Sequence, residues 1–162
     1  MNFRSQSRFQ IVPIPVRGHT LLCLQGFRGE GYDPMFIAHM SAIHQRLTNQ
    51  PKLLVKVIIR PDTFCHSCPH LSSDQGCKLY GEGSEPGMVK QDQEVMRRLG
   101  IANEEVLGWE MVLKKVGETI KPEMLDEICG QCPWLPLGYC KAALRKISQG
   151  EASPSSLQPN KE

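Results

Sequence analysis

Two distant segments of this chain repeat one arrangement of cysteines. Each contains a Cys-x2-Cys pair followed directly by proline, with a third cysteine eight or nine residues further on: Cys65, Cys68 and Cys77 in the first, and Cys129, Cys132 and Cys140 in the second. Three thiolates at such spacings can occupy three corners of a tetrahedral ion or of one iron-sulfur cluster. Both segments are therefore predicted to be metal-ligand loops.

The spacing alone does not distinguish zinc from iron and sulfide, but the prolines do favour one of them. Pro69 and Pro133 follow the second cysteine of each pair, and proline has no backbone N–H, the group on which zinc knuckles rely to support their sulfurs. Cys-Pro also occurs in ferredoxin-type ligand runs. An iron-sulfur cluster, with 4Fe-4S the preferred species, is the expected cofactor, and zinc is the alternative.

With the seventh cysteine, Cys23, the cysteines can be divided into a set of four and a set of three. If Cys23 joins one triad, that centre has four thiolate ligands, and the other keeps one position for water, a histidine, a sulfur species or a substrate. His19 and Cys23 are four residues apart and share one face of a predicted helix, so either can approach a cluster. Alternatively, Cys23 is a core residue among leucines, because unligated cysteine is usually buried.

Disulfide and dithiol chemistry fit the cysteines less well. Seven is an odd number, and disulfides are rarely maintained in a reducing cytosol. Thioredoxin-like exchange requires the first cysteine of the pair at a helix N-terminus. Cys129 instead follows a predicted helix, so metal ligation is preferred.

Composition indicates an ordinary small globular protein. The chain has 162 residues, of which 40% are apolar, and 19 Lys and Arg balance 17 Asp and Glu. A single cysteine-rich domain is predicted over residues 10–148, between a flexible N-terminus (1–9) and a disordered tail (149–162) that is rich in serine and proline. No basic run predicts nucleic-acid binding, and no long apolar segment predicts a membrane partner, so a cytoplasmic protein is expected.

The residue pattern predicts an α+β fold that is mostly helical, with a small sheet and two cysteine-rich ligand loops. Strands are predicted over residues 9–16 and 53–59, the second of which is the apolar run Leu-Leu-Val-Lys-Val-Ile-Ile. Residues 81–87 are glycine-rich and are predicted to be flexible. Helices are predicted over residues 18–25, 34–49, 89–99, 103–116, 122–128 and 139–147.

Several polar residues beside the cysteines have two interpretations. His66 and His70 flank the first Cys-x2-Cys pair and are expected to be solvated or to hydrogen-bond around a metal rather than to ligate it. Asp92 is a candidate proton donor, although an acidic residue near the start of a helix is also expected from the helix dipole. Arg17 and Arg28 either balance the charge of a thiolate-bound cluster or are simply exposed.

Two aromatic residues bracket the second cysteine loop. Trp134 lies between Cys132 and Cys140, and Tyr139 directly precedes Cys140. Aromatic side chains there would exclude water from a cluster and so affect its reduction potential. They are equally expected as ordinary core residues.

Three motifs together resemble a known family. They are the segment from Arg17 to Tyr32, Pro61-Asp62 before the first cysteine pair, and Ile128-Cys-Gly-x-Cys-x-Trp134 with Gly138-Tyr-Cys140. In this order they resemble an uncharacterised bacterial and archaeal family, domain of unknown function 1284, whose members are regarded as iron-sulfur binding proteins. The resemblance implies a cofactor but no reaction. Family members often carry a second histidine where this chain has Thr20, so only His19 is carried over.

The expected function is iron-sulfur cluster binding, with a redox, electron-transfer or accessory role toward an unknown redox or protein partner. One alternative is an enzyme whose cluster has three cysteine ligands and one open iron. A second is a zinc-binding structural adaptor. A single shared centre would require the two loops to lie together in space.

Overall fold

The structure, a computed structural model, describes residues 12–150 and confirms an α+β domain dominated by helices. Its α-helices are α1 (Thr20–Gly26), α2 (Pro34–Asn49), α3 (Ser84–Leu99), α4 (Trp109–Thr119), α5 (Leu125–Ile128) and α6 (Tyr139–Ser148). Its strands are β1 (Ile14–Arg17), β2 (Leu54–Ile58), β3 (Leu71–Ser72), β4 (Gly76–Cys77) and β5 (Val106–Gly108). The predicted flexible N-terminus (1–9), and the predicted tail from residue 151 onward, lie outside the described residues.

The main sheet has β2 at its centre, with β1 parallel on one side and β5 antiparallel on the other. Val16 pairs with Val57 across the parallel edge, and both side chains are fully buried. A parallel pair needs a long crossover, which α1 and α2 provide here. As a result, the ends of β1 and β2 lead together into the region that carries the first cysteine loop.

Helix α2 begins where the sequence predicts. The Asp33 carboxylate accepts a hydrogen bond of 2.8 Å from the backbone N–H of Phe36, and Pro34 occupies the first helical turn, both of which favour a helix start. The buried face of α2 repeats at helical spacing and packs into the core: Phe36, Met40, Ile43 and Leu47.

Three elements differ from the sequence prediction. Helix α3 begins at Ser84, five residues earlier than predicted, because Pro86 in its first turn is compatible with a helix. Residues 106–108, predicted to be helical, form β5, because pairing with β2 outweighs local helix propensity. The 3-10 turn Pro122–Met124 also replaces the first part of a predicted helix.

The core lies between the main sheet and the surrounding helices, and it includes β1, β2, α1, α2, α3 and α4. Helix α1 also packs along α6, which brings the N-terminal part of the chain against the second cysteine loop. Among residues 12–150, no helix is long and apolar enough to cross a membrane.

A thiol-lined cavity as the candidate metal centre

Six of the seven cysteines line one cavity of about 120 Å³, together with His19: Cys23, Cys65, Cys68, Cys77, Cys132 and Cys140. The remaining candidate ligand, Cys129, lines an adjoining cavity of about 340 Å³, which also contains Cys23, Cys132 and His19. The two loops are more than fifty residues apart in the sequence. The fold nevertheless brings Cys68 and Cys132 to the same cavity.

The first loop is held by a buried aspartate. Asp62 accepts hydrogen bonds from the backbone N–H groups of Arg17 at 2.8 Å, Phe64 at 2.9 Å and Cys65 at 3.1 Å. These bonds cap the 3-10 turn that starts at Cys65, and the N–H of Cys68 closes it with a bond of 2.9 Å to the Cys65 carbonyl. Asp62 thereby ties the first cysteine pair to the end of β1.

Cys77 is oriented by its own neighbours. It lies on β4, opposite Leu71 of β3, and its backbone N–H donates a 2.8 Å hydrogen bond to Glu85. The N–H of Leu79 lies 3.5 Å from the Cys77 sulfur. A backbone N–H aimed at a sulfur is a typical support for a metal-bound thiolate.

The second loop forms a similar turn. The N–H of Cys129 donates to the Leu125 carbonyl at 2.8 Å, and the N–H of Cys132 donates to the Cys129 carbonyl at 2.8 Å. Gly138, with a φ of 77°, allows the chain to turn sharply into α6, so that Cys140 lies in the first turn of that helix.

Close packing of α1 on α6 places Cys23 beside the second loop. A Cβ atom added to Gly26 would lie 2.5 Å from the Cys140 sulfur and 2.6 Å from its Cα atom, so only glycine permits this approach. Cys23 is three residues before Gly26, on the same helical face. Cys23 also packs against the hydrophobic core and lines the thiol cavity, so its role as a ligand stays a prediction.

Arg17 is the buried cation of the site, with 1% of its surface exposed. Its Nε donates to Asp92 at 2.9 Å, and its Nη1 and Nη2 atoms lie 3.3 and 2.8 Å from the two carboxylate oxygens of Glu85. Burial lowers the pKa of Arg17, but its hydrogen bonds and attraction to Glu85 and Asp92 outweigh burial and hold the pKa above the ordinary value. Arg17 is therefore charged and not exposed.

His19 and Asp92 form a carboxylate–histidine pair at the cavity. Asp92 Oδ1 lies 3.0 Å from the backbone N–H of His19 and 2.6 Å from His19 Nδ1. A Cβ on Gly18 would lie 2.5 Å from the Asp92 carbonyl oxygen, so glycine is required for this contact. Because an ionised carboxylate can only accept, this contact requires the hydrogen on Nδ1, and in the neutral ring Nε2 is then the acceptor.

The dipole explanation for Asp92 is wrong in this structure. Helix α3 begins at Ser84, so Asp92 lies in its third turn, where the dipole has little effect. Its side chain is fully buried and is satisfied by Arg17 and His19 instead.

Glu85 connects Arg17 to Cys77, a role that was not predicted from the sequence. Glu85, Met88 and Asp92 follow a helical spacing and point toward the site from one face of α3. This signal was hidden because residues 81–87 were predicted to be flexible. Gln91 of the same helix donates a 3.0 Å hydrogen bond to the Ile128 carbonyl, next to the second loop.

Tyr32 is a second missed residue, and it joins the two loops. Its ring centroid lies 4.6 Å from that of Trp134 and 4.6 Å from that of His70, and Tyr32 and Trp134 line both cavities.

Tyr139 does not line either cavity; it packs under the Arg28 guanidinium at 4.3 Å. Neither His66 nor His70 is among the cavity-lining residues.

Burial raises the pKa of several of the thiols. Burial, followed by the Cys132 thiol, raises the pKa of Cys129 to about 12 and that of Cys140 to about 11. Burial also raises the pKa of Cys65. Such groups are neutral and unreactive at pH 7, whereas a bound metal cation would stabilise their thiolate forms.

We expect the metal-free protein to lose stability as the pH rises above about 8.5, the ordinary thiol pKa. Because the folded pKa values of Cys129 and Cys140 are about 12 and 11, the unfolded chain releases protons that the folded chain retains. The two thiols therefore contribute their full stability below the pKa that they have in the unfolded chain. This stability is lost as the pH approaches the pKa values that they have in the folded protein. Urea denaturation of the metal-free protein at pH 7 and at about pH 10 measures it.

The control for this prediction is the double variant Cys129→Ala/Cys140→Ala, in which the loss of stability between the two pH values should be smaller. An equal loss in the variant and the parent protein would contradict the assignment to these thiols.

The thiols surround a cavity rather than a single point. Zn–S bonds of about 2.3 Å draw all ligand sulfurs to within about 4 Å of one another. Among residues 12–150, no group of three or more His, Cys, Asp or Glu side chains is arranged to hold a single metal ion. The thiols instead surround a cavity of about 120 Å³, whereas one water needs only about 10–15 Å³.

Comparison with known proteins identifies a family but no function. No curated protein and no solved structure shows significant similarity to the chain. The family model described as "Protein of unknown function (DUF1284)" matches residues 31–138, which include five of the six loop cysteines but neither His19, Cys23 nor Cys140. Because this match covers more than half of the 162 residues, the chain belongs to the DUF1284 family of proteins of unknown function.

Proposed function

We propose that the protein binds an iron-sulfur cluster through these cysteines and serves as a redox or accessory protein. One observation carries the proposal: thiols from two loops and from α1, remote in sequence, line a single cavity. Cysteine thiolates are the usual ligands of iron-sulfur clusters, so a group of this kind would have several ligands available there.

The main alternatives fit this arrangement less well. A structural zinc site needs four donors around one point, whereas these thiols surround a volume. Dithiol exchange needs a thiol whose pKa is lowered, but burial raises the pKa of Cys129, and the Cys132 thiol raises it further.

The chain itself would provide an environment suited to a cluster. Arg17 is a buried positive charge that would offset the negative charge of thiolates and cluster. Tyr32 and Trp134 would keep water away from the sulfurs, which affects the reduction potential. When bound, the cluster would supply one-electron transfer.

A second candidate function is an iron-sulfur enzyme, which two observations favour. The adjoining cavity of about 340 Å³ is within the range of small-molecule sites, about 300–1,000 Å³. His19 lines both cavities, and Asp92 orients its ring. His19 Nε2 would hold or accept a proton at a molecule bound there, with Asp92 as a positioning residue.

The decisive experiment is anaerobic purification, with iron, acid-labile sulfide and zinc measured on one sample. We expect a brown protein that contains iron and sulfide and absorbs near roughly 400 nm. Stoichiometric zinc without sulfide would instead support the structural adaptor. Protein that contains neither iron nor sulfide after oxygen-free isolation would refute the proposal.

A further inference from the structure

We infer that the seven cysteines form two metal centres of different ligation. The first has four thiolates, from Cys23, Cys129, Cys132 and Cys140. The second has three thiolates, from Cys65, Cys68 and Cys77, and its remaining position opens into the cavity that His19 lines. This inference rests on the proposed function and adds which thiols share a centre and where an additional ligand would bind.

The number of thiols already exceeds one cluster. A 4Fe-4S cluster takes about four protein thiolates, whereas six cysteines line the first cavity and a seventh lines the second. The cavities differ in their cysteines. The second is lined by Cys23, Cys129 and Cys132 and by no cysteine of the first loop, whereas Cys65, Cys68, Cys77 and Cys140 line only the first.

The first loop is a self-contained unit. The N–H of Leu71 donates to the Cys68 carbonyl at 3.2 Å, and the N–H of Lys78 donates to the His70 carbonyl at 2.8 Å. With the β3–β4 pairing, these bonds hold Cys77 against the turn that carries Cys65 and Cys68. Bonds within the first loop therefore hold the backbone of these three cysteines together.

The fourth thiolate comes from α1 and belongs with the second loop. Packing of Gly26 on Cys140 places Cys23 at the start of α6. Cys23 also lines the second cavity together with Cys129 and Cys132.

The His19 segment is hydrogen-bonded to the three-thiolate loop. The Arg17 backbone N–H binds Asp62, which caps the turn at Cys65. The Arg17 side chain binds Glu85, which in turn accepts from the N–H of Cys77. Since Asp92 bonds both Arg17 and His19, the ring is held in register with this loop, at the cavity that the three cysteines line.

The test compares two matched variants of the full chain, prepared anaerobically: Cys65→Ser/Cys77→Ser and Cys129→Ser/Cys140→Ser. Each should lose about half of the bound iron and one of two paramagnetic components seen on stepwise reduction. His19→Ala should change only the component that persists in the Cys129→Ser/Cys140→Ser variant. A His19→Ala spectrum changed only in the other component would overturn the assignment of His19.

Stepwise reduction of the unaltered protein, monitored by electron paramagnetic resonance, tests the number of centres even if a variant does not fold. Two components support two centres, and one component overturns them. Folded variants that each lose all iron also overturn the division. In those cases the iron and sulfide of the unaltered protein still support the proposed function, whereas their absence from that protein refutes the function itself.

Discussion

Replacement of Arg17 by methionine is expected to lower the free energy of unfolding by about 3–5 kcal/mol, the usual result of breaking a buried ion pair. Methionine is similar in length but has no charge. The variant would leave the carboxylates of Asp92 and Glu85 in a buried site without their cation. Equilibrium denaturation in urea, compared with the parent protein at the same metal content, measures the change.

Two control variants make this result specific. Arg17→Lys keeps the charge but loses the planar fork that reaches both carboxylates, so an intermediate loss is expected. Arg60→Met removes the 3.2 Å pair with Glu104, in which both side chains are about half exposed, and should change stability by less than about 1 kcal/mol. Equal effects of Arg17→Met and Arg60→Met would show that burial of the Arg17 network contributes no extra stability.

Gly26→Ala should destabilise the protein by about 1–3 kcal/mol or more. The added Cβ would meet the Cys140 backbone at 2.6 Å as well as its sulfur at 2.5 Å, so rotation of a side chain cannot relieve the contact. Helix α1 must move away from α6, and Cys23 must move with it. We therefore also expect the variant to bind less iron per folded chain, measured by iron content after size-exclusion chromatography.

Gly87→Ala is the matched control. Gly87 lies within α3, and a Cβ there would meet no atom within 4 Å. Alanine is favoured over glycine in a helix by about 0.5–1 kcal/mol, so this variant should be slightly stabilised and should keep its iron. A Gly26→Ala protein with unchanged stability and iron content would mean that the α1–α6 contact does not position Cys23.

The sequence prediction agrees best with the structure where neighbouring residues determine the local conformation. Asp33-Pro34 predicted the start of α2 because the capping carboxylate and the proline act within one turn. The apolar run over residues 53–59 predicted β2, because a strand at the centre of a sheet buries its side chains and is therefore rich in apolar residues. Each Cys-x2-Cys pair lies in a short hydrogen-bonded turn, which is a local geometry, whereas the ligand role of these cysteines stays a prediction.

The sequence prediction failed where residues that are distant in the chain determine the conformation or the contacts of a segment. Residues 106–108 form β5 because they pair with β2. The local sequence contains no signal for a pairing with a strand so far away in the chain. The early start of α3 brought Glu85 into the site and moved Asp92 away from the helix terminus. Both carboxylates then gained roles through Arg17, which lies 68 and 75 residues away from them in the sequence.

By itself, the sequence determined which atoms are available as ligands, because thiol spacing within each loop is a property of a few consecutive residues. It also determined the mostly helical α+β class. The tertiary structure alone decided that the loops share a cavity, that Cys23 lies beside Cys140, and that His19 is oriented by Asp92. These relations depend on how α1, α3 and α6 pack, and packing sums many weak contacts between residues far apart in the chain.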